Sequence, residues 1–324
     1  MGDQSPVSPT TLTRIVAAFA GIYLIWGTTY LAIAVAIQTI PPFISGAARF
    51  FAAGGLMYAW LRWRNPTPLA GVNLIAAAWT GALLSGIGNG FVIWSQQGIP
   101  SGIAALIITA VPVVVLVLDW AFFSKRAPSR SALSGTGIAI AGVVAIIMHT
   151  RSLSGDVHAL HLLALVCAIV GWSLGTLIQK RHATAQSVLT FTCAQMLFGG
   201  AFQLCMSVID AEWSRFDFAA ISWTSFVAVG YLIVFGSIIG LNCYLWLLTR
   251  VPASKVTTYA LVNPVVALIL GALVLGERIT PLAVTSAVLV LTGVALVLFQ
   301  DWHPFRPRPV KVRGAERRLG SEAK

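Results

Sequence analysis

The chain has 324 residues and is too apolar for a soluble protein, because 57% of its residues are hydrophobic and only 10% are charged. A soluble domain carries roughly 25% charged residues, and the mean hydropathy here is +0.85. A net charge of +11 would suggest nucleic-acid binding in a soluble protein. Here the cations stand in short loops and a tail, so we expect no nucleic-acid partner.

Ten apolar stretches are long enough to cross a bilayer. A hydrocarbon core about 30 Å thick needs about 20 apolar residues per helix. Prolines such as Pro41, Pro100 and Pro281 separate the stretches, as expected of a residue that fits the first turn of a helix. We predict spans at 15–37, 43–61, 72–94, 99–123, 131–148, 158–178, 187–209, 221–247, 253–275 and 281–299. The sequence therefore predicts an all-α polytopic membrane protein with ten transmembrane helices and no soluble catalytic domain.

The cationic residues predict the orientation in the membrane, since short cytoplasmic loops are enriched in Lys and Arg. With the N-terminal segment 1–14 in the cytoplasm, 17 of the 21 Lys and Arg residues fall on the cytoplasmic side, seven of them in the basic tail 300–324. Three fall on the outer side, and Arg49 lies within a span. We therefore expect both termini to be cytoplasmic, in a multi-pass protein of the inner or plasma membrane.

Segments 15–148 and 158–299 share one layout. Matching pairs are 146 or 152 residues apart: Trp26 with Trp172, Arg49 with Gln195, Gly54 with Gly200, Trp94 with Trp246, and Pro112 with Pro264. Each copy holds five spans, an odd number, so the second copy must lie inverted relative to the first. Two inverted five-helix repeats are typical of secondary transporters.

The same motifs resemble the drug/metabolite transporter superfamily, in its EamA-type branch. The resemblance rests on Ile25-Trp26-Gly27-Thr28-Thr29, Ala48-Arg49-Phe50, Pro252-Ala253-Ser254-Lys255-Val256, Asn263-Pro264, Leu275-Gly276-Glu277-Arg278-Ile279 and Gly293. It implies ten helices in two inverted repeats and secondary transport, often export of amino acids or other metabolites. It also implies that spans five and ten lie peripherally while the others line a central cavity. Lys125 departs from the family, which often has a Glu there to match Glu277.

Arg49 is the sharpest candidate for substrate binding. It lies about six residues inside the second span, where a cation costs roughly 2.5–3.5 kcal/mol on insertion scales. A guanidinium binds carboxylates and phosphates bidentately, which predicts an anchor for an anionic group of the substrate. The alternative is a structural role, as a cap on backbone carbonyls or by snorkelling to the outer headgroups.

Other residues within the spans complete the predicted site. The polar and aromatic members are Trp26, Thr28, Tyr30, Asn89, Trp94, Trp172, Gln195, Asn242, Tyr259 and Asn263. Pro112 and Pro264 fall mid-span at equivalent positions and predict paired helix breaks beside a midplane site. Asp119 and Glu277 are the carboxylates on which proton coupling would depend. The alternatives are that Asp119 pairs with neighbouring cations and that Glu277 stabilises a helix end.

The sequence predicts neither a metal, a cofactor nor a disulfide. His158 and His161 share a helix face but lack a third ligand. Free cysteine usually behaves as a small buried apolar residue. Four cysteines lie in apolar stretches without metal-ligand spacing: Cys167, Cys193, Cys205 and Cys243.

We therefore predict a secondary transporter, an exporter, of small organic metabolites such as amino acids or amphipathic and aromatic compounds. Its two repeats would rock to expose a midplane site to each side in turn. Its partners would be the small-molecule substrate and the bilayer, with no obligate protein partner evident. A membrane-embedded enzyme and a non-transporting scaffold or channel are the alternatives.

Overall fold

The computed structural model describes residues 9–125, 127–154, 159–182, 188–251, 256 and 258–299. These residues form ten long helices and no strand. The helices are α1 (Pro9–Ala36), α2 (Pro42–Arg64), α3 (Leu74–Ser95), α4 (Ser101–Phe123), α5 (Arg130–Ser154), α6 (Ala159–His182), α7 (Val188–Ile209), α8 (Trp223–Arg250), α9 (Tyr259–Leu275) and α10 (Pro281–Phe299). The predicted tail 300–324 and most of 252–257, at the start of the ninth predicted span, lie outside the described residues.

The predicted all-α class with ten membrane helices is confirmed. Most helix bounds differ from the predicted ones by a few residues, although α1 begins already at Pro9. Within the described residues, seven helices are long and apolar enough to cross a membrane, namely α1, α3, α4, α6, α7, α8 and α10. α5 and α9 carry shorter apolar stretches, and α2 holds three arginines.

The helices pack in a pattern that stays unchanged when the two halves are exchanged. α2 packs on α7, α4 on α9 and α5 on α10, and each pair joins equivalent helices of the two repeats. α1 packs on α8 and α9, while its equivalent α6 packs on α3 and α4. A two-fold relation between inverted copies predicts this exchange.

Close contacts between single residues obey the same exchange. A Cβ added at Gly54 would lie 2.9 Å from the Leu197 side chain, and one at Gly200 would lie 3.2 Å from the Phe51 side chain. Positions 54 and 200 are 146 residues apart, as are positions 51 and 197. Small residues let membrane helices approach closely, so the α2–α7 contact has kept a glycine in both copies.

α3 and α8 share an irregularity at equivalent positions. Gly81–Asn89 in α3 and Leu232–Leu241 in α8 are π-helical, and the two stretches are about 152 residues apart. Short π-helical stretches inside α-helices are frequent at functional sites. Both stretches contribute residues to the cavity described below.

The two prolines predicted to break helices have different surroundings. Pro112 follows an interruption of α4, in the first turn of Val111–Leu118, where a missing N–H costs least. Pro264 lies inside α9, which runs past it without interruption. A break is present at Pro112 only, and a hinge role for either proline stays a prediction.

The two ends of the helix bundle differ in charge. The end formed by loops 37–41, 96–100, 210–222 and 276–280, here the acidic end, carries Asp210, Glu212, Asp217 and Glu277, together with Arg215 and Arg278. The opposite end, here the basic end, carries Arg62, Arg64, Lys125, Lys180, Arg181 and Arg250.

Candidate functional site

A narrow cavity lies between the two halves. Its volume is about 60 Å³, which admits a few water molecules, since one water needs about 10–15 Å³ on this measure. The lining comes from α1, α2, α3, α4, α6, α8 and α9, and α5 and α10 contribute none of the described lining residues. The polar and aromatic members are Trp26, Thr29, Tyr30, Arg49, Asn89, Trp172, Tyr259 and Asn263.

Arg49 is the cation of this lining and is buried, with 3% of its surface exposed. Its Nε donates a hydrogen bond to Ser237 Oγ at 2.8 Å, and a Cβ added at Gly236 would lie 3.0 Å from its Nη2. Its Nη1 has no hydrogen-bond partner. The described residues contain one ion pair, between Arg215 and Asp210, so no carboxylate in this part of the chain neutralises Arg49.

The hydrogen bond from Arg49 to Ser237 has an equivalent in the other half. Gln195 Nε2 donates to Ser85 Oγ at 3.3 Å, and each of these residues is one repeat away from its counterpart. Gln195 Oε1 also accepts from Gln179 Nε2 at 2.7 Å. Gln195 is completely buried and lies outside the cavity. Sequence reasoning missed Ser237, although the spacing to the equivalent serine was available.

Aromatic rings form one wall of the cavity. The ring of Trp26 meets Trp172 edge-on at a centroid distance of 5.7 Å and Tyr259 at 4.8 Å. Each tryptophan packs on a glycine of the other half, since a Cβ at Gly240 would lie 2.4 Å from Trp26 Nε1 and one at Gly88 would lie 3.1 Å from Trp172. The equivalent tryptophans therefore meet where the two repeats join. Such edge-to-face contacts are favourable and directional.

Two asparagines of the lining bond to backbone carbonyls. Asn89 Nδ2 donates to Leu84 O at 3.2 Å within the π-helical stretch of α3. The side-chain nitrogen of Asn263, in the amide orientation that satisfies both of its polar atoms, donates to the carbonyls of Tyr23 and Tyr259 at 3.3 and 3.1 Å. Both asparagines therefore support the backbone beside the cavity as well as lining it.

Three further predicted cavity residues lie elsewhere, as Gln195 does. Thr28 shares a 2.5 Å hydrogen bond with a tyrosine hydroxyl of α8. Asn242 Nδ2 donates at 2.6 Å to a backbone carbonyl within α8. Trp94 stacks on His161 at 4.6 Å, in a separate apolar recess of about 270 Å³ at the acidic end. Polar groups inside a span can be satisfied by neighbouring helices, and the sequence does not distinguish that environment from a cavity.

The two carboxylates predicted for coupling lie outside the cavity lining. Asp119 is half-buried in a π-helical turn near the basic end of α4. Glu277 lies at the acidic end, where its Oε1 accepts from Ser101 N and Ser101 Oγ at 2.7 Å each and its Oε2 accepts from Gly102 N at 3.1 Å. Glu277 thus caps the first turn of α4, and a part in coupling stays a prediction for both residues.

Sequence reasoning also missed Glu212. The side chain is completely buried, and it accepts from Phe43 N at 2.9 Å and from Ile44 N at 2.8 Å, at the start of α2. Burial raises the pKa of the Glu212 carboxyl and outweighs these two N–H bonds, which lower it. The available signal was Pro41, because a proline before a helix offers no side-chain acceptor to the free N–H groups of the first turn.

Ten membrane helices in two matching halves, with a small polar and aromatic cavity between them, define a membrane transporter. The chain belongs to the EamA-like transporter family, whose model matches residues 13–148 and 159–299. This match confirms the resemblance noted in the sequence. The protein is a multi-pass inner membrane transporter and not an enzyme.

Known relatives align with most of the length of this chain. It is 34% identical to the "Uncharacterized inner membrane transporter YedA" of Escherichia coli (strain K12), over 91% of this chain and 94% of that protein. It is 26% identical to the "Probable amino-acid metabolite efflux pump" of the same strain, over 86% and 92% of the two chains. A solved structure described as "Crystal structure of protein" has the same fold, with a TM-score of 0.62 at 16% identity over 88% of this chain and 96% of that one.

Proposed function

We propose that this transporter exports small organic metabolites that carry a carboxylate, such as amino acids and other amphipathic or aromatic acids. The observation that carries the proposal is the guanidinium of Arg49, which is buried in the cavity without a carboxylate partner. A buried charge without a partner is destabilising, and a substrate carboxylate would offset that penalty through charge-assisted hydrogen bonds. The name of the 26% identical efflux pump supports amino-acid metabolites and outward transport.

The surroundings of Arg49 suit an acid with an aromatic or amphipathic body. Ser237 holds Nε, which leaves the two terminal nitrogens of the guanidinium for a bidentate contact. Trp26, Trp172 and Tyr259 supply the apolar wall of the same cavity. An organic acid would place its carboxylate on the guanidinium and its body against these rings.

Transport would proceed by alternating access, in which the two repeats rock about the cavity. The packing symmetry supports this mechanism, because the main helix pairs that join the halves, α2 with α7, α4 with α9 and α5 with α10, each consist of equivalent helices. Transporters built from inverted repeats generally move in this way. A channel or scaffold would show no counterflow, in which an internal substrate pool accelerates uptake of labelled substrate.

The acidic end would face outward, with both termini in the cytoplasm. The excess of Lys and Arg at the basic end supports this orientation, since cationic loops stay on the cytoplasmic side. A reporter fused to the C-terminus tests it. Cytoplasmic reporter activity is expected, and a C-terminus reached by external protease would contradict the orientation.

Flux in proteoliposomes tests the substrate class. We expect Arg49→Ala to abolish counterflow of an aromatic amino acid while it barely alters counterflow of the methyl ester. Arg49→Lys keeps the charge without the bidentate fork and should retain part of the activity. Gln195→Ala is the matched control at the equivalent position outside the cavity. Equal losses for acid and ester would contradict the anchor, provided that gel filtration shows folded protein.

A further inference from the structure

Two glutamates link the halves of the molecule at the acidic end. The chain contains four glutamates, and Glu316 and Glu322 belong to the C-terminal tail. The other two, Glu212 and Glu277, stand in loops of the second half, and each binds the start of a helix in the first half. Every glutamate before the tail therefore makes the same kind of contact.

These contacts satisfy helix starts that lack a cap of their own. α2 follows Pro41 and α4 follows Pro100, and neither proline supplies a side-chain cap. The two carboxylates accept from the backbone N–H groups of residues 43, 44, 101 and 102. These N–H groups have no other acceptor in the described part of the chain. Buried donors left unpaired are destabilising, so each helix start depends on a residue of the opposite half.

The loops hold both glutamates in fixed positions. Each follows a residue with left-handed backbone, Ala211 with φ of 51° and Gly276 with φ of 68°. A Cβ added at Gly271 would lie 2.4 Å from Glu277 Oε2, so glycine makes room for that carboxylate. The glutamates are seated against the helix starts and are not free surface side chains.

Among the described loop residues of the basic end, no carboxylate binds a helix start of the opposite half. By the repeat, the counterpart of Glu277 is Lys125, whose Nζ donates to Ala121 O within its own helix. The loop sequences at this end, 65–73, 124–129, 183–187 and 251–258, contain neither Asp nor Glu. Toward this end α1 and α9 are joined by a neutral hydrogen bond between Tyr23 and Thr258 hydroxyls, at 2.5 Å. The two ends therefore differ in what holds the halves together.

We propose that Glu212 and Glu277 form a two-point clasp that keeps the cavity closed toward the acidic end, and that release of both carboxylates from α2 and α4 opens it. Both helices line the cavity, and α2 carries Arg49, so releasing α2 would move the substrate anchor together with the gate. That the clasp controls the access of substrate rests on the transport function proposed above, whereas the hydrogen bonds themselves show that the two halves are joined at the acidic end.

Labelling of a cysteine in the cavity tests the clasp without any substrate. Val92→Cys, in a protein whose native cysteines are replaced by Ala, places a thiol in the cavity lining on the part of α3 nearest the acidic end. A membrane-impermeant maleimide is applied to the acidic-end side of proteoliposomes. We expect the added pair Glu212→Gln and Glu277→Gln to raise the labelling rate at least tenfold. Asp217→Asn is the matched control, because Asp217 caps only its own turn through Ala219 N and should leave the rate unchanged.

An unchanged labelling rate in folded double variant, or an equal rise in Asp217→Asn, overturns the clasp. If the double variant does not fold, amide hydrogen exchange of the unmodified protein decides. Slow exchange at residues 43, 44, 101 and 102 is expected, and fast exchange there overturns the proposal. Labelling needs no transport, so absent flux with the expected labelling contradicts only the proposed function, and flux with unchanged labelling contradicts only the clasp.

Discussion

Arg49 and Gln195 occupy the same position in the two repeats, yet they face different surroundings. Each donates to an equivalent serine, Ser237 in one half and Ser85 in the other. Arg49 lines the cavity, whereas Gln195 lies completely buried outside it. The duplicated backbone has kept one hydrogen bond in both copies while the chemistry around it has diverged.

A neighbouring position explains the divergence. In the second half Gln179 donates to Gln195 and completes its hydrogen bonding. The position one repeat earlier is Ile33, which lines the cavity and offers no polar atom to Arg49. An apolar neighbour such as Ile33 leaves the polar residue available for a ligand. An amide neighbour such as Gln179 binds the polar residue and gives it a structural role.

Gln195→Arg should have the largest effect. It would place a second cation in a fully buried site with no carboxylate nearby, and an uncompensated buried charge destabilises by about 3–5 kcal/mol. We expect a large loss of folded protein in detergent and a thermal midpoint lowered by more than 10 °C. Arg49→Gln is the reverse control and should fold normally. A Gln195→Arg protein as stable as the wild type would contradict this prediction, because position 195 would then tolerate a cation as position 49 does.

Gln179→Leu should destabilise the protein less than Gln195→Arg does. It leaves Gln195 Oε1 without its donor, and an unsatisfied buried acceptor costs about 1–3 kcal/mol. Transport should stay within about twofold of wild type, because neither amide lines the cavity. Thermal unfolding and counterflow measured on one preparation separate the two effects. A loss of transport without a loss of stability would place the amide pair in the substrate path.

Ile33→Gln should give Arg49 an amide partner, as Gln179 gives Gln195 in the second half. The new amide oxygen would accept from Arg49 and compete with a substrate carboxylate. We expect the KM for an acid substrate to rise about tenfold, corresponding to about 1.4 kcal/mol, with little change in maximal rate. Ile33→Leu keeps the position apolar and serves as the control. An unchanged KM in Ile33→Gln would argue against Arg49 as the anchor.

The smallest predicted effect concerns Glu212, whose region has no acidic counterpart in the first repeat. Burial raises its pKa above the ordinary value of 4.5, so the folded protein takes up this proton at a higher pH than the unfolded chain does. Stability should therefore increase relative to Glu212→Gln as pH falls through the raised pKa toward 4.5. Thermal midpoints of both proteins between pH 7.5 and about 5 test the sign. A difference that stays flat or shrinks on acidification contradicts it.

Residue type and repeat spacing each predicted part of the site, and Tyr30, Asn89, Tyr259 and Asn263 line the cavity as their residue types suggested. Trp26 and Trp172 were placed in the cavity because they were deep in their spans and matched in the repeat, and they line it. Asn242 and Gln195 were chosen because they are polar within spans, but their partners come from helix packing that the sequence does not show. Glu212 was missed because the helix start that it caps lies 169 residues away.

The cavity between the two halves is smaller than the substrates that we propose for it. Sites for small organic ligands occupy about 300–1,000 Å³, against about 60 Å³ here. In the described conformation the cavity is therefore too small for a metabolite of amino-acid size, and the helices must separate before one can enter. Rigid docking to this conformation would reject true substrates. Compounds selected because they bind between the repeats and separate them would stabilise the substrate-bound conformation.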